Sequence, residues 1–129
     1  MRDPIDLLPA ERFDPLPLAR LAQIGGPNLA ATLAGMFLGT AVARGDAIAA
    51  AAAAQDWQTC SRLAHALRAT AGNVGARRVH DLCERVENAV TDGEDAVVAD
   101  LAALAPIEIA EALKTVNGWL AAQTVAQPR

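Results

Sequence analysis

The sequence has few aromatic residues and few cysteines. Of its 129 residues only 3% are aromatic, none is tyrosine, and two are cysteine, Cys60 and Cys83. Two cysteines do not make the disulfide framework of a small secreted domain, so we expect both to be reduced core residues. The opening Met1-Arg2-Asp3-Pro4 lacks the basic region and apolar core of a signal peptide. We therefore expect a cytoplasmic protein.

Positive charge is also scarce, but it is concentrated in one segment. The net charge of −4 argues against a nucleic-acid partner. Residues 58–78 contain four arginines and no acid, whereas residues 81–111 contain nine acids and Arg85 as the only base. A basic patch on an acidic protein favours an acidic protein partner or a phosphate group.

Residues 21–43 carry no charge, and a segment of this length could span a bilayer. The segment nevertheless contains several glycine, proline and polar residues, and its apolar residues are mostly alanine rather than leucine. A buried helix of a bundle is the better interpretation. We therefore expect no membrane partner.

The apolar content, 53% of the residues, favours tightly packed helices over sheets because it is mostly alanine and leucine. The length predicts a single domain over residues 1–129, with a loose N-terminal arm over 1–12 and a core over about 13–122. A short extra helix is predicted from Pro15 to about Gln23. It ends at Ile24-Gly25-Gly26, and Pro27 then begins the next helix.

Four longer helices are predicted, over residues 27–54, 56–73, 76–90 and 94–122. Asp56 is a natural N-cap, and Gly75 can end a helix in the left-handed conformation. The first long helix is expected to present one apolar stripe to the core: Leu29, Leu33, Met36, Phe37, Thr40 and Ala41. Pro106 leaves open whether the last segment is one kinked helix or two. Short connections imply antiparallel neighbours, so the expected fold is an all-α, antiparallel up-down four-helix bundle with a short extra N-terminal helix.

His65 is the residue that most strongly indicates chemistry. At about 100° per residue, His65 lies nearly opposite Leu63, Leu67 and Val74 on its helix. Its own face carries mainly polar or small residues: Gln58, Ser61, Arg62, Arg68, Ala69, Gly72 and Ala76. Because Arg68 follows three residues later, its guanidinium can reach an anion held by the imidazole. Such a histidine is either a solvated surface residue or an accessible nucleophile beside an anion-binding group.

The segment 64–87 closely resembles the signature of histidine-containing phosphotransfer (HPt) domains. That signature has a histidine, an apolar residue two positions on, Lys-Gly at three and four on, a glycine ten on, and then an apolar helix ending near a glutamate. The matching residues are His65, Leu67, Gly75, Leu82, Cys83 and Glu87. Arg68 and Ala69 stand where the family usually has lysine and glycine. The resemblance covers roughly residues 13–122.

The resemblance implies a phosphorelay carrier of two-component signalling. His65 would accept a phosphoryl group from the aspartate of a response-regulator receiver, or of a receiver linked to a hybrid histidine kinase, and pass it to another receiver. Arg68 would stabilise the phosphate. The receiver would dock on five residues around it: Gln58, Ser61, Arg62, Ala69 and Gly72.

The resemblance also limits the chemistry expected of this chain. No cofactor or metal is expected on it, since the receiver would supply Mg²⁺ together with the aspartate. The sequence has no phosphate-cradling glycine-rich loop, so we do not expect an autonomous ATP-dependent kinase. His80 is expected to be a boundary or surface residue. The alternative function is a non-phosphorylated helical adaptor that binds receiver or kinase domains through the same face.

Overall fold

The computed structural model describes residues 8–126, which form four α-helices and no strand. The helices are α1 (Leu16–Ala53), α2 (Trp57–Val74), α3 (Arg77–Thr91) and α4 (Asp95–Ala126). Connections of two or three residues join them, and each helix packs mainly against two others, α1 against α2 and α4, and α3 against the same two. This arrangement confirms the predicted all-α, up-down four-helix bundle.

The helix α1 contains a break at Gly26. Gly26 has φ +79° and ψ 177°, a conformation open to glycine because it lacks a Cβ atom. Pro27 follows the break and restarts the helix, where its missing N–H is not needed. The predicted short N-terminal helix is therefore present, as the part of α1 that precedes the break.

Both ends of α2 are fixed by the residues that the sequence indicated. The Asp56 carboxylate accepts hydrogen bonds from the hydroxyl of Thr59 at 2.7 Å and from its backbone N–H at 3.2 Å. These bonds, the hydroxyl bond first, lower the pKa of Asp56. At the other end Gly75 has φ +77° and accepts the backbone N–H of Asp14 at 2.8 Å. The cap and the stop signal thus set where α2 begins and ends.

The buried stripe of α1 differs from the predicted one. Met36 is 56% exposed and Thr40 is also exposed, whereas Phe37 and Ala41 are buried as expected. Most of the residues that α1 buries are small: Leu18, Ala30, Ala34, Phe37, Ala41, Gly45, Ile48, Ala51 and Ala52. A Cβ atom at Gly45 would overlap the Ile109 side chain of α4. Small residues are buried here because they let the neighbouring helices approach closely.

The helix α4 passes through Pro106 without interruption, which decides between the two possibilities left open by the sequence. Its Glu108 is only 1% exposed, although a glutamate is rarely fully buried unless it is paired. The Glu108 carboxylate lies 3.0 Å from Arg78 Nε and 3.4 Å from Arg12 Nε. Two guanidinium groups thus compensate a carboxylate that would be costly to bury alone.

Residues 8–12, predicted as part of a loose arm, pack against the bundle. Leu8 is only 7% exposed. The backbone N–H of Arg77 donates to the carbonyl of Arg12 at 3.0 Å, and its guanidinium lies 3.1 Å from the Glu11 carboxylate. The described part of the arm is therefore held over the turn between α2 and α3. Residues 1–7 lie outside the described residues.

Cys60 and Cys83 are both buried and free, as the sequence indicated. Burial raises the pKa of the Cys83 thiol to about 12, and it also raises the pKa of the Cys60 thiol. A thiol held in this protonated form is a poor nucleophile.

By length and composition alone, α1 is apolar enough to cross a membrane. The core helix of a bundle can be equally long and apolar. Nine residues of α1 are buried within this bundle. The helix thus gives only weak evidence for a membrane span.

Candidate functional site

His65 lies on the solvent-facing side of α2. Its side chain is 71% exposed. The residues that α2 buries lie on the other side of the helix: Cys60, Ala64, Leu67, Ala71 and Val74. His65 is therefore exposed, as the sequence predicts, and the imidazole is accessible to a second molecule.

Glu87 of α3 holds one edge of the His65 ring. The Glu87 Oε1 atom lies 2.7 Å from His65 Nδ1, and the Glu87 side chain is only 16% exposed. A carboxylate can only accept, so a neutral imidazole in this contact carries its proton on Nδ1. The lone pair is then on Nε2. The contact between α2 and α3 thus selects both the orientation of the ring and the nitrogen available as a nucleophile.

Arg68 contacts the other oxygen of the same carboxylate. Its Nη1 atom lies 3.2 Å from Glu87 Oε2, and its side chain is 33% exposed. Glu87 therefore bridges His65 and Arg68 and fixes both side chains beside each other. A guanidinium has five N–H donors, so Arg68 can keep this contact and still donate to an anion on the imidazole.

The predicted docking residues surround His65 on the surface of α2. Four of the five are exposed: Gln58, Arg62, Ala69 and Gly72. Ser61 is half-buried. The Arg62 guanidinium donates to the hydroxyl of Thr59 at 3.0 Å, which holds the cation one turn before His65. Ala76, also assigned to this face, is instead 1% exposed because the chain turns inward at Gly75.

The basic patch of residues 58–78 is smaller in the structure than in the sequence. Arg77 is paired with Glu11 at 3.1 Å, and Arg78 is paired with buried Glu108 at 3.0 Å. These two guanidinium groups serve contacts with the N-terminal segment and α4. Of the four arginines in residues 58–78, Arg62 and Arg68 are the two that lie on the His65 face.

Glu87 is the site residue whose role the sequence reasoning missed. It matched the family pattern, but no contact with His65 was assigned to it. A signal was available: counted from Gly75, His65 is ten residues back and Glu87 is twelve residues forward. In an antiparallel helix pair this places the two residues within roughly 3 Å of the same level.

A metal site needs several ligand side chains close together. Within residues 8–126 no three or more histidine, cysteine, aspartate or glutamate side chains are grouped so that they could hold a metal ion. The groups present at His65 are therefore an imidazole, a carboxylate and a guanidinium. These can attack, orient and stabilise a phosphoryl group.

Comparison with known proteins gives one match. A family model described as Hpt domain matches residues 32–119, a range that includes His65, Arg68 and Glu87. No curated protein and no solved structure matches the chain. The match covers more than half of the sequence and spans parts of all four helices.

Proposed function

The chain belongs to the Hpt domain family, and from this premise we propose that it is a phosphorelay carrier in which His65 is the phosphorylated residue. It accepts the phosphoryl group from the aspartate of a receiver domain and passes it to a second receiver. The observation that supports this proposal most directly is the exposed imidazole whose Nδ1 is bonded to Glu87. That bond leaves Nε2 as the nucleophile.

The proposed transfer requires no proton movement at the reacting nitrogen. His65 Nε2 attacks the phosphorus of the aspartyl phosphate, the Nε2–P bond forms, and the P–O bond to the aspartate breaks. The aspartate leaves as a carboxylate. Since Nδ1 keeps its proton, the phosphorylated ring is positively charged, and the Glu87 carboxylate stabilises that charge. The reverse reaction delivers the phosphoryl group to the next receiver.

The partner supplies what this chain lacks in the proposed reaction. A receiver would bring the aspartate and its Mg²⁺, and the exposed residues around His65 would form the docking surface. The test is incubation with a panel of purified, phosphorylated receivers. A carrier acquires phosphate that is acid-labile and base-stable, whereas an adaptor binds receivers without becoming labelled.

Arg68→Ala is expected to slow transfer without abolishing it. The guanidinium donates to the phosphate but forms no covalent bond, and the site is open to solvent. A charge-assisted hydrogen bond to an exposed group contributes about 1–3 kcal/mol, which corresponds to a rate loss of roughly fivefold to 150-fold. Single-turnover transfer from a phosphorylated receiver measures the effect. Arg68→Lys keeps the charge and should transfer at close to the parental rate; an unchanged rate in Arg68→Ala would mean that the arginine is only a solvated side chain.

Glu87→Ala is expected to slow transfer by roughly tenfold, because it releases both His65 and Arg68 from their fixed positions. Glu87→Gln keeps an acceptor for the ring N–H but loses the charge, so it should lie between Glu87→Ala and the parent. The ¹⁵N chemical shifts of the His65 ring test the mechanism separately. The parent should show the Nδ1–H tautomer and Glu87→Ala a mixture, whereas a parent dominated by the Nε2–H tautomer would contradict the assignment.

A further inference from the structure

A pocket of about 390 Å³ opens beside the His65 face, between the N-terminal segment and the ends of α2 and α3 that meet at Gly75. Its lining includes Pro9 and Asp14 of the N-terminal segment, Pro17 at the start of α1, and His80 and Glu84 of α3. Gly72 of α2 also lines the pocket, and a Cβ atom there would come within 3.2 Å of the His80 ring. The absence of a side chain at Gly72 therefore keeps the pocket open toward α2.

The pocket lies within reach of any protein that docks on His65. Gly72 is seven residues after His65, almost two helical turns, so the two residues face the same way and are separated by roughly 10 Å along α2. A protein interface of ordinary size covers about 800 Å² per partner, a patch with a radius of roughly 16 Å. A receiver centred on His65 therefore covers the pocket as well.

Most charged groups in the pocket wall already have partners. Asp81 is paired with Arg85 at 2.7 Å, and Asp14 accepts the backbone N–H of Leu16 at 3.0 Å. Arg77, the arginine among the described lining residues, is paired with the Glu11 carboxylate of the N-terminal segment. Among the described residues of the lining, three carboxylates and one guanidinium leave a surplus of negative charge.

Glu84 is the lining carboxylate without a partner among the described residues. Its side chain is half-buried, and the structure shows no hydrogen bond or ion pair to it. His80 precedes it by four residues, so the two side chains share one face of α3. A metal ion is not the ligand that fits, since no group of three metal-binding side chains forms within residues 8–126. The unsatisfied group is a single carboxylate at the wall of an open, partly apolar pocket.

We propose that the pocket takes a lysine or arginine side chain of the docked receiver, and that Glu84 pairs with its charged end. This inference rests on the proposed carrier function and identifies a residue that selects among receivers. The aliphatic stem of such a side chain would lie against Pro9, Pro17 and Gly72, while its cation meets the carboxylate. A receiver with an acidic residue at this position is repelled by the same three carboxylates.

The test measures receiver binding separately from the phosphorylation of His65. The probe is the receiver of the panel that transfers fastest to the parent protein, and its dissociation constant is measured for Glu84→Gln and Glu84→Lys. We expect binding to weaken by roughly fivefold in Glu84→Gln and by more than twentyfold in Glu84→Lys. Asp100→Asn is the matched control, because it removes one negative charge from an exposed position of α4 and should leave binding unchanged. Labelling by phosphoramidate, a donor too small to need docking, should be the same in all four proteins.

A charge exchange identifies the pair directly. Replacing basic residues on the receiver's docking face by glutamate, one at a time, should yield one variant that binds Glu84→Lys better than it binds the parent. If the parent, Glu84→Gln and Glu84→Lys bind the receiver with equal affinity, the docking inference is wrong. The carrier function still holds in that case if His65 becomes labelled. If no receiver binds the parent and phosphoramidate does not label it, both the carrier function and the docking inference are wrong.

Discussion

Replacing His65 by glutamine should abolish phosphorylation and leave the fold intact. The side chain is 71% exposed and its contact in the structure is with Glu87, so little packing is lost. A substitution at such a position changes the free energy of unfolding by about 0.5 kcal/mol or less. Glutamine has an amide that can donate to Glu87, but it has no nucleophilic nitrogen. Labelling by phosphoramidate and by the receiver panel measures the loss, and thermal unfolding checks the fold.

The second histidine provides the control for this experiment. His80 and His65 are the two histidines of the chain. His80→Gln should therefore remain fully labelled by phosphoramidate. If label persists in His65→Gln and disappears in His80→Gln, the acceptor has been assigned to the wrong residue. If receivers bind the parent protein but none labels it, the adaptor function replaces the carrier.

Replacing Gly75 by alanine should cause the largest loss of stability among the substitutions considered. Gly75 has φ +77°, a conformation that costs an L-residue about 1 kcal/mol. An added Cβ atom would also overlap the carbonyl oxygen of Asp14, and that oxygen belongs to backbone that is itself bonded to Gly75. The sum should be about 3 kcal/mol, or a fall in melting temperature of roughly 10 °C. Urea unfolding followed by circular dichroism measures it.

Gly93 separates the two causes of that loss. It has φ +71°, but apart from its own chain neighbours no atom of the described residues lies within 4 Å of the position that its Cβ would occupy. Gly93→Ala should therefore cost about 1 kcal/mol, the conformational part alone. Equal losses in Gly75→Ala and Gly93→Ala would show that the segment containing Asp14 does not press against the α2–α3 turn.

Local signals in the sequence determined where the helices begin and end. Asp56 caps α2, Gly75 ends it, and Gly26-Pro27 interrupts α1, because each of these residues acts on backbone within a few positions of itself. The face of His65 was equally predictable. α2 contains enough polar residues that the helical period of about 3.6 residues per turn places them on one side and the apolar residues on the other.

The buried face of α1 was not predictable in this way, because its sequence contains no such contrast between polar and apolar sides. Residues 21–43 are uncharged, so several faces of the helix are apolar and none is marked as the core. The larger side chains suggested one stripe, but the bundle exposes Met36 and buries Ala30 and Ala34. Which residues of α1 are buried depends on how closely α1 approaches its neighbouring helices, and the distance between helices is a property of the assembled bundle.

The sequence by itself thus determined the bundle, the helix limits, the family signature and the exposed histidine. Only the tertiary structure decided which groups meet: Glu87 with His65 and Arg68, Glu108 with Arg78 and Arg12, and residues 8–12 with the α2–α3 turn. The physical reason is the separation in sequence over which each kind of interaction acts. Caps, turns and helical periodicity act within a few residues, whereas these contacts join residues that are distant in the chain and depend on how the helices pack against one another.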